Sequence, residues 1–152
     1  MKRKSLRKNK NVLVWGTFDL LHNGHKLFLK KASLFGNLFV IIIPDNIVFQ
    51  NKIRLPIEDA AIRKLKVERL NYVKQAFIDC IEEGLLCIDS IKPNILCFGY
   101  DQDKVWEDIL LKELDRKGYK VLVKRLDKYA NGIHTKNLIG FFETGQAHWK
   151  KK

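Results

Sequence analysis

The stretch Asn11-Val12-Leu13-Val14-Trp15-Gly16-Thr17-Phe18-Asp19-Leu20-Leu21-His22-Asn23-Gly24-His25 decides the fold. Asn11 to Trp15 is a short apolar run closed by Gly16, the pattern of a strand buried on both faces of a parallel sheet. Beyond His25, Phe28, Ala32 and Phe35 recur at helical spacing while Lys30 and Lys31 face away, and Gly36 supplies a left-handed stop. Leu38 to Ile43, rich in β-branched residues and stopped at Pro44, is the next strand. Strand, helix and strand form one βαβ unit.

The same signals return further along. Asn94 to Phe98 is an apolar run ending at Gly99, Trp106, Ile109, Leu110 and Leu114 make a helix stripe that stops at Gly118, and Lys120 to Val123 is the strand after it. Strands alternating with helices of this length predict an α/β domain built on a mostly parallel sheet. Between the halves, Asn46 to Pro56 reads as a polar loop, Glu58 to Ala76 as a basic helix, and Phe77 and Ile78 as a stub of strand. Gly132 to Glu143 has weak helical character, with Leu138, Phe141 and Phe142 on one side.

The chain has 152 residues, 46% hydrophobic and 30% charged, which suits one globular domain with a real core and excludes a disordered or fibrous protein. Its formal charge of +12 is concentrated at the ends: Lys2, Arg3, Lys4, Arg7, Lys8 and Lys10 precede the first strand, Lys150 to Lys152 close the chain, and the body keeps only +3. Solvated basic tails explain this better than a dedicated nucleic-acid surface, so any contact with nucleic acid is expected to be weak and to run through the tails. Cys80, Cys87 and Cys97 form no CxxC pair and leave one over in any disulfide scheme, which predicts reduced, packed thiols in the cytoplasm. Leu38 to Ile43 is the longest apolar run and is too short to cross a bilayer. The basic start is not read as a signal peptide, because Asp19 and His22 interrupt the apolar stretch behind it.

The chemistry sits where the first strand hands over to the first helix, since ligands of an open α/β sheet bind at the carboxyl ends of its strands. His22 and His25, separated by Asn23 and Gly24 at a helix start, can both point to where unpaired backbone N–H groups meet an anion. Gly24 lets a phosphate approach the backbone, and the helix dipole favours its negative charge. Polyphosphate binding follows from this arrangement. A zinc site is the competing reading of two nearby histidines, but it needs a third protein ligand, and no cysteine stands at a matching spacing.

Gly16-Thr17-Phe18-Asp19-Leu20-Leu21-His22-Asn23-Gly24-His25 resembles GTFDxxHxGH, the signature of the cytidylyltransferase-like nucleotidyltransferases, and the resemblance runs from about Val12 to Phe142. Lys92 to Gln102, ending in Gly99-Tyr100-Asp101-Gln102, and the helix that follows are similar to archaeal FAD synthases. Glycerol-3-phosphate cytidylyltransferase is a further relative. The resemblance implies a Rossmann-like open parallel sheet of nucleotidyltransferase type with helices on both faces, spanning residues 11–149 between unstructured basic tails at 1–10 and 150–152.

It also implies a reaction: an acceptor phosphate oxygen attacks the α-phosphorus of ATP or CTP and pyrophosphate leaves, with Mg²⁺ held through substrate phosphates. FMN is the acceptor first expected and glycerol 3-phosphate, or another polyol phosphate, the second. His22, His25, Lys52 and Arg69 would carry the transfer, Arg69 as part of a Glu68-Arg69 pair opening a helix. Gly16, Thr17, Phe18, Asn23, Gly24, Asp101, Tyr129 and Thr135 would join the two histidines in holding the nucleotide, and a homodimer is admitted. One segment departs from the family: where relatives carry an Ile-Ser-Thr-Thr type of motif, this chain has Ile133-His134-Thr135-Lys136. A fold that has lost catalysis and binds nucleic acid through its tails is the reading from another class.

Overall fold

The computed structural model describes residues 10–100 and 102–126. Five strands, β1 (Asn11–Gly16), β2 (Asn37–Ile42), β3 (Gln75–Ile78), β4 (Ile95–Phe98) and β5 (Leu122–Arg125), form one parallel sheet in the order β3-β2-β1-β4-β5. The helices are α1 (Asn23–Ser33), α2 (Asp45–Lys52), α3 (Ala60–Glu68), α4 (Ile88–Ile91) and α5 (Lys104–Arg116). The α/β class and the parallel sheet agree with the sequence reading.

Side-chain alternation along the central strands builds a core on each face, as the period of two requires. Val12, Val14, Leu38, Val40 and Ile42 meet Leu29 and Ala32 of α1 and Val67 of α3. Leu13, Trp15, Phe39, Ile41, Leu96 and Phe98 meet Ile88 and Ile91 of α4 and Leu110 and Leu114 of α5. At the amino edge, the Asn11 side chain donates to the Ile91 carbonyl and accepts from Asn37, fixing where the strands begin. At the carboxyl edge the chain runs out from β1 toward β3, then returns to start β4 on the other side. That reversal opens a crevice beside β1.

Several local expectations are corrected. Residues 45–52 are a helix, not a loop: Pro44 caps it, Asp45 lies in its first turn, and Ile47 and Val48 are buried. The helix expected over 58–76 ends at Glu68, and the chain turns through residues 69–74 to pair β3 with β2. β5 begins at Leu122, two residues later than Lys120. Helix α1 is capped by Leu34 in a right-handed conformation, and Gly36 is nearly extended at φ 157°, so it is not the stop. Gly118, at φ 92°, does stop α5. Lys31 does not face away; it is buried. The helical segment expected over 132–143 lies outside the described residues.

Cys80, Cys87 and Cys97 are free and buried. Burial pushes the Cys80 thiol up to about 11 and the Cys97 thiol up to about 12, while burial and then the Asp79 carboxylate push Cys87 up as well. Thiolate is the reactive form. Native protein treated with iodoacetamide at pH 8 is therefore expected to take up almost none while the urea-unfolded chain takes up three equivalents, counted by mass spectrometry. Fast labelling of the native protein would show that the thiols are not packed as described. Among the described residues, no helix is long and apolar enough to cross a membrane.

Candidate active site

A cleft of about 1050 Å³ lies along the carboxyl edge of the sheet, lined near β1 by Gly16, Thr17, Phe18, His22, Gly24 and His25. Its volume stands at the upper end of the roughly 300–1,000 Å³ usual for small-ligand sites. The Gly16 to Leu21 turn that enters it is tight. Phe18 and Leu20 both have positive φ, 51° and 49°, a conformation that non-glycine residues seldom adopt and that collects at functional turns. A Cβ on Gly16 would stand 2.9 Å from the Phe18 ring, so glycine is what lets that buried ring fold back under the turn. Gly16→Ala is expected to cost about 1–3 kcal/mol of stability, read by urea denaturation, with a parallel loss of turnover. An unchanged midpoint would show that Phe18 yields without cost.

The two histidines cap α1 reciprocally. His22 Nδ1 accepts from the His25 backbone N–H at 3.2 Å, and His25 Nδ1 accepts from the His22 backbone N–H at 3.3 Å. This is the capping-box pattern with imidazoles in place of hydroxyl and carboxylate. The rings stack with centroids 3.5 Å apart, and the Phe18 ring meets His25 edge-on at 5.4 Å. An Nδ1 that accepts carries no proton, so the neutral tautomer of each ring holds its proton on Nε2, which is then a donor. Two imidazole N–H donors on stacked rings at a helix N-terminus suit an anion on which charge develops.

Asp19 of the same turn accepts from the backbone N–H groups of Ile57 and Glu58 at 2.8 and 3.0 Å, and Glu58 in return accepts from the Leu20 N–H at 3.1 Å. Its carboxylate fastens the histidine turn to the segment before α3. On the other side, Gln102 accepts from the Gly99 N–H at 2.7 Å and donates to the Trp15 carbonyl at 3.2 Å, joining the ends of β4 and β1.

Sequence reasoning missed Arg63. It is 0% exposed, donates to the carbonyls of Glu58, Thr17 and Ile43 at 2.9, 2.7 and 2.9 Å, and pairs with Asp45 at 2.6 Å. One guanidinium thus holds the β1 turn, the end of β2 and the starts of α2 and α3. The signal available was its place: a cation one turn into a helix capped by Asp59 opposes the dipole and needs a tertiary reason. Lys31 was also missed; it lines the cleft from α1 and is 6% exposed.

Of the residues expected at the site, Gly16, Thr17, Phe18, His22, Gly24, His25 and Lys52 line the cleft, Lys52 from the last turn of α2 rather than from a loop. Asn23 is exposed at the first position of α1 and is not part of the lining. Arg69 is not brought there either. Glu68 and Arg69 close α3 instead of opening a helix, and since the chain then enters the amino end of β3, Arg69 lies at the opposite edge of the sheet. Glu68 accepts from Lys64 and from the Ala76 N–H, which binds α3 to β3. The Lys64 hydrogen bond holds its carboxyl below the usual range. Asp101, Tyr129 and Thr135 lie outside the described residues.

The geometry finds its counterpart in comparisons with known proteins. A family model described as cytidylyltransferase-like matches residues 13–139. The chain belongs to the cytidylyltransferase-like family. Within it, the chain is 33% identical over 120 residues to a FAD synthase of Aciduliprofundum boonei, covering 79% of this chain and 80% of that protein. To a FAD synthase of Methanosarcina mazei it is 38% identical over 117 residues, covering 76% and 75%. Among solved structures, the lipopolysaccharide core biosynthesis protein from Thermoplasma volcanium GSS1 is similar at a TM-score of 0.65 and 29% identity, covering 76% of this chain and 94% of that one. The match to the family model begins inside β1 and takes in the whole histidine turn, the part of the chain that shapes the cleft.

Proposed function

We propose that this cytidylyltransferase-like protein is an FMN adenylyltransferase. An oxygen of the FMN phosphate attacks the α-phosphorus of ATP, the bond from that phosphorus to the bridging oxygen breaks, and FAD and pyrophosphate are formed. The observation that carries the reading is the stacked pair His22 and His25, each with Nδ1 fixed by a backbone N–H. Relatives named FAD synthase favour adenylyl transfer to FMN over cytidylyl transfer to a polyol phosphate. A binding protein that had lost catalysis would have no use for two oriented imidazole donors.

A phosphate monoester is largely ionised at pH 7, so the acceptor needs no strong base. The work of the chain is to bring two anions together and to stabilise the charge that builds on the α-phosphate and the leaving oxygen. The Nε2–H groups of His22 and His25 do this, Thr17 and the α1 N-terminus hold phosphate oxygens, and Lys52 adds positive charge. Mg²⁺ fits as an ion carried on the triphosphate: Asp19 is committed to two backbone N–H groups, and among the described residues no three His, Cys, Asp or Glu side chains converge on one point. When bound it would neutralise phosphate charge.

Pyrophosphate release from each nucleoside triphosphate, paired with FMN and with glycerol 3-phosphate, tests the reading. ATP with FMN is expected to be the productive pair. Faster release from CTP with glycerol 3-phosphate would replace it with the cytidylyltransferase reading.

A further inference from the structure

The cleft has two chemically different halves. On the β4 side Trp15, Gly99, Tyr100 and Trp106 line it, and on the β2 side Lys52, Arg54, Leu55, Pro56 and Ile57 do. In the second group two cations are followed by large aliphatic side chains, and the aliphatic ones stand in water: Leu55 is 60% exposed and Ile57 71%. Neighbouring apolar side chains exposed on the rim of a cavity mark a place where a ligand covers them.

The segment is also held in place. At its start Ile53, 84% exposed, caps α2 with φ 57° and ψ 29°, a left-handed conformation that is a genuine outlier for a β-branched residue. At its end the Ile57 N–H is held by Asp19, which belongs to the turn that carries His22. Ile57, two residues beyond Leu55, is therefore registered against the turn that carries the imidazole pair.

We propose that Leu55 and Ile57 determine acceptor specificity: they pack against the planar apolar ring system of the acceptor, while Lys52 and Arg54 attract its phosphate. The inference rests on the FMN adenylyltransferase reading and goes beyond it by naming the side chains that choose a flavin. An isoalloxazine ring offers an apolar face that can cover two aliphatic side chains. Beyond its phosphate a polyol phosphate offers only hydroxyls, gains nothing from Leu55 and Ile57 and would leave them wet.

The test is an FMN titration of the full chain followed by flavin fluorescence, beside an ATP titration followed by calorimetry. The double variant Leu55→Ser with Ile57→Ser is expected to bind FMN roughly 10- to 100-fold more weakly, as loss of that apolar contact implies, with ATP affinity unchanged. Both positions are exposed, so folding should be spared, which the unchanged ATP isotherm verifies. A control variant, Ile62→Ser with Leu65→Ser on the exposed side of α3 away from the cleft, should bind FMN as the wild type does. Wild-type FMN affinity in the Leu55 and Ile57 variant would overturn the inference and leave the adenylyltransferase reading standing. A wild-type protein that fails to bind FMN yet binds glycerol 3-phosphate would overturn both.

Discussion

Replacing His25 by alanine is expected to lower kcat for FAD formation by roughly 10²–10³-fold, the usual cost of removing one preorganised donor to a developing oxyanion. The same substitution also removes the acceptor that caps the His22 N–H, so about 0.5–2 kcal/mol of stability should go with it. The two losses separate in His25→Asn. An asparagine oxygen can take over the place of Nδ1 and restore the cap, but nothing then reaches the position of Nε2. Stability should return in that variant and turnover should not. A His25→Ala protein with wild-type kcat/KM would remove the imidazole from the reaction.

Arg63 carries the second large effect, this time on the fold. Arg63→Met leaves the carbonyls of Thr17, Ile43 and Glu58 without this donor and takes the cation from Asp45, whose part-exposed carboxylate keeps the Ala60 N–H. Each acceptor left without its donor away from water costs about 1–3 kcal/mol, and three carbonyls lose theirs at once, a large share of the 5–15 kcal/mol that holds a typical domain together. Arg63→Lys should recover little, because an ammonium cannot span the four acceptors that the planar fork reaches. Urea denaturation followed by circular dichroism measures both. A shift within about 0.5 kcal/mol of wild type, the range of ordinary surface changes, would mean that the turns at the cleft are held by something other than this guanidinium.

What could be read from the sequence follows from how local each cause is. β1, β4 and α5 are legible because apolar runs and stripes are bounded by Gly16, Gly99 and Gly118, and the histidine turn because its residue types and spacing are chemical in themselves. Helix α2 was hidden: only Ile47 and Val48 of its eight residues are buried, too few to print a period on a stretch otherwise full of Asp, Asn, Gln and Lys. The helix at 60–68 was overextended because Leu70, Tyr72 and Val73 continue its apolar spacing, although there they pack against or within the same core from a turn.

The site shows the same division. Lys31 and Arg63 look like any helix-face cations, and their burial is decided by chain segments distant in sequence: Arg63 meets Thr17 across 46 residues. Arg69 was drawn toward the site by its neighbour Glu68, yet the direction of α3 carries the pair to the far edge of the sheet. Asp19 stands inside the signature, where a chemical role is the natural expectation. Its two backbone partners show that it braces the site instead.

The central claim is that the cleft joins AMP to FMN, and the most direct measurement is chromatography of the flavins after incubating the full chain with MgATP and FMN. FAD and pyrophosphate in equal amounts, absent with CTP and absent in His25→Ala, is the expected result. FMN recovered unchanged by a folded wild-type protein, at substrate concentrations where ATP binding is saturated, would contradict it.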